Sequence, residues 1–250
     1  MTYRALVAAL AALSLSAASC GASDGSPDAA DPNLGTAGWG DGLVDHQAGY
    51  RLSDVRAEGG RAGRVRFELE TGQAHVGELT SWYWSTDLRY FARAVAEPTR
   101  DGAWEAAFPE SPGGPGHLVV AFDTGDEIGD LVLGADVDAP RAKHGLPKVR
   151  VAEGDTQKVG AYDVSLSGDL LLAQPSTLVL SVSSAGKQVE YAEAEVAGVS
   201  IASGAFVRFE AGADGTFSGT PSSPGRFRLM VDVMIADRPL HAVFERTAFG

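Results

Sequence analysis

Residues 49–73, "GYRLSDVRAEGGRAGRVRFELETGQ", and residues 161–187, "AYDVSLSGDLLLAQPSTLVLSVSSAGK", decide the fold when they are laid side by side. Each opens on a small residue followed by tyrosine, Tyr50 or Tyr162. Each then gives an alternating run, a turn region and a second alternating run, "RVRFELE" (Arg64–Glu70) or "TLVLSVS" (Thr177–Ser183). The parallel continues downstream. "RDGAWEAAF" (Arg100–Phe108) matches "ADGTFSGT" (Ala213–Thr220), with an aromatic two residues after each Asp-Gly turn signal, Trp104 and Phe217. "PGHLVVAFD" (Pro115–Asp123) matches "PGRFRLMVD" (Pro224–Asp232), and the last runs are "DLVLGADV" (Asp130–Val137) and "LHAVFERT" (Leu240–Thr247). Tyr162 lies 112 positions after Tyr50, and Pro224 lies 109 after Pro115. Landmarks kept in one order at a near-constant offset mark an internal repeat.

The runs have period two, are rich in Val, Phe, Leu and Tyr, and are broken by Gly, Pro and Asp-Gly, so they predict strands. In the first unit seven are expected, near 49–57, 63–71, 76–84, 88–96, 103–108, 117–123 and 130–137. No segment beyond the N-terminus carries a capped amphipathic helix pattern. The expected fold class is all-β, two tandem immunoglobulin-like β-sandwich domains over 49–138 and 161–250. A jelly roll or small barrel is the alternative. The intervening 139–160 holds Pro140, Pro147 and several charges and reads as a linker, in which "PKVRVAE" (Pro147–Glu153) is able to pair as an edge strand.

The N-terminus reads differently. Arg4 precedes "ALVAALAALSL" (Ala5–Leu15), a charged start and a short apolar run of the kind found in secretory signals. The run is too short to span a bilayer, which takes about 20 residues. "AASC", ending at Cys20, resembles the box that directs bacterial lipoprotein processing, with Ala17 where leucine is usual. Residues 1–19 are thus expected to be a signal peptide, and Cys20, the one cysteine, a lipid attachment site that anchors the chain to a membrane outside the cytoplasm. Cleavage near Ala18 with a free Cys20 thiol and a soluble secreted protein is the alternative. Residues 20–48 are dense in Gly, Ala, Asp, Ser and Pro and read as a flexible tether, with Trp39, Leu43 and Val44 as candidates to dock on the first domain.

Processing at Cys20 would remove Arg4 and take the formal net charge from −13 to −14. Such a chain is ill suited to hold nucleic acid or an anionic membrane face by charge, and no Lys/Arg run offsets this. There is no G-x-S-x-G. Of five histidines, His46 falls in the tether and His144 in the linker, leaving His75, His117 and His241 scattered. A triad needs a rigidly held base, so no catalytic residue is assigned. No cofactor is expected. Plain turn chemistry is the preferred reading of "DTGDEIGD" (Asp123–Asp130), and a metal site of Asp123, Asp126 and Asp130 with His117 is the alternative. Met230 and Met234 read as core. "SWYWSTDLRYF" (Ser81–Phe91) puts Trp82 and Trp84 on one strand face and Tyr83 on the other. Core packing is the preferred reading, and an exposed aromatic strip for a partner is the alternative.

The frame "DLRYFARAVAEPTRDGAW" (Asp87–Trp104) resembles a family of uncharacterised bacterial envelope proteins built from two β-rich repeats. Asp87, Leu88, Phe91, Glu97, Asp101, Gly102 and Trp104 match its pattern over a resemblance spanning about residues 49 to 247. The family carries His-x-His-Pro and a Met-His-Leu strand; here Arg93 and Val95 stand for the first pair and Thr80 for the last histidine. The histidines imply metal handling in relatives, and their loss implies a scaffold without it. The expected function is a non-catalytic binding or accessory module of the cell envelope, with an envelope protein as partner. A copper- or calcium-binding protein with unfamiliar ligands is the alternative.

Overall fold

Strict alternation builds the strands that meet water on one side. In Arg64–Glu70, Val65 and Phe67 are buried while Glu68 and Glu70 are exposed. In Ser176–Ser184, Leu178, Leu180 and Val182 are buried while Thr177, Val179 and Ser181 are exposed. The structure is a computed structural model that describes residues 40–58, 63–71, 76–88, 90–108, 114–125, 129–139, 150–236 and 238–250. The signal peptide, Cys20, Trp39, His75, Asp126 and His144 lie outside the described residues.

Repeat 1 comprises β1 (His46–Gln47), β2 (Tyr50–Ala57), β3 (Arg64–Glu70), β4 (Leu79–Ser85), β5 (Phe91–Pro98), β6 (Trp104–Ala107), β7 (Gly114–Asp123) and β8 (Asp130–Ala139). Repeat 2 comprises β9 (Thr156–Val159), β10 (Tyr162–Ser167), β11 (Leu170–Leu171), β12 (Ser176–Ser184), β13 (Lys187–Gln188), β14 (Glu193–Ser200), β15 (Phe206–Ala211), β16 (Thr216–Gly219), β17 (Gly225–Ile235) and β18 (Arg238–Phe249). The seven strands expected in the first unit are β2 to β8, displaced by a few residues at their ends.

Repeat 1 pairs in the order β1-β2-β3-β6-β5-β4-β7-β8, antiparallel throughout. The β5–β6 pairing is short, from Ala96↔Ala106 to Pro98↔Trp104. The order folds over there and brings β2 back beside β8. Two layers result, β2-β3-β6 facing β5-β4-β7-β8. Repeat 2 repeats the plan, β10-β12-β16 facing β15-β14-β17-β18, joined by only two residue pairs between β15 and β16. First, second and fifth strands against fourth, third, sixth and seventh is an immunoglobulin-like sandwich, and both repeats have it.

Each sandwich encloses its own core. Repeat 1 buries Leu52, Phe67, Leu79, Tyr83, Leu118, Leu131 and Leu133 between its layers. Repeat 2 buries Leu166, Leu178, Phe209, Phe227, Leu229 and Phe244. The structure departs from the sequence reading at the start of each repeat. Gly40 to Gln47, expected in the tether, are packed: Val44 O accepts from Gly134 N–H at 2.8 Å and Asp45 O from Leu52 N–H at 2.7 Å. β1 then turns into β2 through Ala48 and Gly49, both at positive φ (52° and 83°), as a two-residue hairpin requires. Of the two docking candidates among the described residues, Leu43 is 43% exposed and Val44 makes the contact with repeat 1, through its backbone. Likewise Arg150 to Val159, expected in the linker, belong to repeat 2. Ala152 N–H donates to Val243 O at 2.8 Å, and an edge strand forms at Thr156–Val159 against β10; of the expected 147–153 the structure describes 150–153, which carry no strand.

A third apolar cluster lies between the repeats. Trp82, Trp84, Val119, Ala121 and Val132 on the outer face of β4-β7-β8 meet Ala197, Val199, Phe206 and Met230 on the outer face of β14-β15-β17. Trp82 packs on Phe206 at 4.9 Å between ring centroids, and Trp84 stacks on it at 6.0 Å and 5°. The two sandwiches thus meet face to face along an apolar seam.

Candidate functional site

The seam corrects two expectations. Trp82 and Trp84 fill neither the sandwich core nor an exposed strip, because their face of β4 is covered by repeat 2. Tyr83, on the other face, is the aromatic of the core. Met230 also packs in the seam rather than in a sandwich core, and Met234 lines a cleft at its mouth. Both follow from strand alternation plus a second covering layer.

At the mouth of the seam, charges from both repeats converge. Phe91 and Arg93 on β5 have counterparts at Phe206 and Arg208 on β15, each pair on the outward face two residues apart. Arg93 Nε lies 2.5 Å from Glu195 Oε2 on β14, and Arg208 Nε lies 3.6 Å from Glu195 Oε1. The Arg208 guanidinium also sits 5.8 Å from the centre of the Trp82 ring. One carboxylate therefore holds one arginine of each repeat. Burial pushes the Glu195 carboxyl above its ordinary value; Arg93 and Arg208 pull the other way, and Asp232 adds to the push. Asp232 in turn bonds His241 Nδ1 at 2.5 Å, which raises the imidazole against the opposing effect of its burial.

Arg93, Glu193, Ala194, Glu195, Asp232 and Met234 help to line a cleft of about 270 Å³ beside this cluster. A wider hollow of about 610 Å³ in repeat 2 is lined by Gln188, Glu190, Tyr191 and Asp214, where burial raises the Tyr191 hydroxyl. The seam-mouth cluster is an electrostatic tie with a charged cleft beside it. It can orient a charged or hydrogen-bonding group of a partner; it presents no nucleophile paired with a base.

The positions singled out from sequence fall in separate places. His117, near the start of β7, has Nδ1 2.8 Å from Asp136 Oδ1 and Nε2 2.7 Å from Gly42 O, with its ring 5.1 Å from that of Trp84. Asp123 ends the same strand, about 20 Å away at strand spacing. The structure does not bring His117 to Asp123 or to Asp130, the cross-strand partner of Asp123. Asp123 Oδ1 accepts from Gly125 N–H, the turn role expected of Asp-x-Gly. Burial raises the Asp130 carboxyl, and Asp123 adds to this. Among the described residues no three His, Cys, Asp or Glu side chains form a metal-holding group.

Thr80, Arg93 and Val95 are brought together: Thr80 pairs with Val95 across β4–β5, and Arg93 shares that outward face two residues along. The sequence reading missed Glu195, Arg208 and Asp232. Arg208 had a signal, since "FAR" (Phe91–Arg93) and "FVR" (Phe206–Arg208) occupy the same place in the two repeats. Glu195 had none, because nothing local marks a carboxylate whose partner is 102 positions away.

Among the described residues no helix is long and apolar enough to cross a membrane. No protein-family model matches the chain, and no curated protein does. Among solved structures the chain is similar to the fibronectin(III)-like modules of Clostridium thermocellum CbhA, at 9% identity and a TM-score of 0.23, over 80% of this chain and 93% of that one. It is similar to the tandem Ig repeats of Dlar at 9% identity and 0.22, over 80% and 97%. It is similar to invasin, a bacterial integrin-binding protein, at 14% identity and 0.20, over 78% and 38%. At these values the likenesses carry no information on activity or partner.

Proposed function

We propose that the chain is a non-catalytic binding or accessory module of the cell envelope, in which two sandwiches act as one recognition unit. The observation that carries this reading is the seam. Two β-sandwiches joined by an apolar face and a two-arginine tie hold their loops and clefts in one relation, which lowers the ordering cost of binding a partner. The seam-mouth cleft is the preferred contact surface because side chains of both repeats meet there. Lipid attachment at Cys20 is part of the proposal, supported by the Ala5–Leu15 run and "AASC". Intact mass of the native chain and of Cys20→Ser tests it: a diacylglycerol or larger adduct on the native form alone supports the anchor, and an unmodified Cys20 removes it.

Affinity capture from envelope extract, run beside equilibrium dialysis with copper, zinc and calcium, tests the function. A protein retained by the native chain and lost with Asp232→Ala supports recognition at the cleft. Stoichiometric metal uptake with no retained protein supports the metal-binding reading instead. The resemblance to the His-x-His-Pro family has its own test. If Thr80, Arg93 and Val95 occupy the family's histidine positions, Thr80→His, Arg93→His and Val95→His together should create a zinc or copper site that the native chain lacks.

A further inference from the structure

Gly40, Asp41 and Gly42 are buried although the segment offers almost no apolar side chain to bury. Backbone bonds account for this. Asp41 O accepts from Phe206 N–H of repeat 2 at 2.7 Å, and Val44 O accepts from Gly134 N–H of repeat 1 at 2.8 Å. Between them Gly42 O lies 2.7 Å from His117 Nε2 of repeat 1. The Asp41 side chain adds Ser222 Oγ of repeat 2, which donates to Oδ2 at 3.4 Å, and accepts from Leu43 N–H through Oδ1 at 3.2 Å. Three residues of a five-residue segment, Asp41, Gly42 and Val44, thus bond both sandwiches across the seam.

The approach is close enough to demand glycine on both sides. A Cβ on Gly134 would lie 1.8 Å from Gly42 O. A Cβ on Gly42, whose φ is +69°, would lie 2.6 Å from Val119 Cγ2, a seam residue. Phe206, whose backbone holds Asp41, is the ring on which both Trp82 and Trp84 pack. The segment therefore holds, through the backbone, the residue whose ring meets both tryptophans.

We propose that Gly40–Val44 is a strap that holds the seam shut, and that displacing it uncovers the Trp82, Trp84 and Phe206 face. The strap joins the two sandwiches at the point where the chain enters them, so a pull, a cleavage or a partner acting N-terminal to Gly40 reaches the aromatic face through these bonds. The same face, once uncovered, is an apolar surface rimmed by Arg93, Glu195 and Arg208.

Thiol labelling tests this on the full chain in a Cys20→Ser background. Val199→Cys places a reporter in the seam, and Val231→Cys places a control in the repeat 2 core; both native side chains are buried. Gly134→Ala displaces the strap by its clash with Gly42 O, and Asp41→Ala loosens it by removing the side-chain bonds. Gly134→Ala is expected to speed labelling of the seam thiol about tenfold, on the order of losing one or two hydrogen bonds, with the core thiol unchanged. Asp41→Ala is expected to do the same to a smaller degree, and it decides the matter if Gly134→Ala fails to fold. Two results overturn the proposal. One is an unchanged seam-thiol rate once protease cleavage within 40–47 shows the strap displaced. The other is equal acceleration of both thiols, which would place the strap's effect on the fold of the repeats and not on the seam.

Discussion

β4, "LTSWYWS", and β14, "EAEVAGVS", are the same middle strand of the same layer in the two repeats, yet they are built from opposite materials. β4 buries every residue along its length and puts two indoles outward. β14 puts Ala197 and Val199 outward at the corresponding place, and Glu195 one step further along. Bulk on one side and small side chains on the other let the two faces interdigitate, as close packing demands. The difference teaches that the repeats are complementary, not interchangeable. A second copy of repeat 1 in place of repeat 2 would set indoles against indoles.

Breaking the large side of this comparison should cost most. Trp82→Ala removes one of the two seam indoles, the more deeply buried, and is expected to lower unfolding stability by about 3–5 kcal/mol, read by chemical denaturation. The sandwich core of repeat 1, built on Tyr83, should keep its near-UV signature if the loss is confined to the seam. Overfilling the small side should cost less. Val199→Trp is expected to destabilise by about 1–3 kcal/mol through overpacking. If that substitution is silent, the seam has room that the packing denies.

The electrostatic tie sharpens the comparison through pH. Because burial raises the Glu195 carboxyl, the folded state holds its proton more tightly than the unfolded chain does. Stability is then fully present below the ordinary carboxyl range, about 4.5, and falls as pH rises through the raised value. Glu195→Gln should remove that slope in denaturation midpoints taken from pH 4 to 7 (a window of about three units around the usual Glu range). His241 acts in the same sense one step higher, since Asp232 raises it. Its contribution is present below about 6.5 and is lost as pH rises through the folded value, a loss that His241→Gln should abolish.

The smallest effect belongs to the surface of repeat 1. Thr99 and Arg66 hold the Asp101 carboxyl down at about 2, so its contribution is present above about 3.8 and disappears as pH falls through about 2. Asp101→Asn should flatten only that acid limb, and the seam predictions should be untouched by it.

The strands were legible because alternation is local. Val65 and Phe67 against Arg66 and Glu68 need no knowledge of the rest of the chain, and the repeat itself doubled the signal. The seam was not legible from alternation, because period two says which residues share a face and not what covers it. A trace of it was present. β3 and β12 alternate strictly, whereas β4 and the "LVVAF" of β7 are apolar or small on both faces, the pattern of strands covered on both sides. The strap was hidden for another reason. A segment made of Gly40, Asp41 and Gly42 has the composition of a loop, and its burial comes from close backbone approach that glycine alone permits. The Arg93–Glu195 tie joins the two repeats across the chain, and no local pattern announces such a pair.

The central claim, that the two sandwiches are locked face to face through Trp82 and Phe206, is tested most directly by a double-mutant cycle. Stabilities of the native chain, Trp82→Ala, Phe206→Ala and the double substitution would be measured by denaturant unfolding. Rings packed across the seam should give a coupling of about 0.5–1.5 kcal/mol, with the double substitution costing less than the two single losses together. Losses that add to within about 0.3 kcal/mol would mean that the two residues do not touch in solution, and the seam would be contradicted.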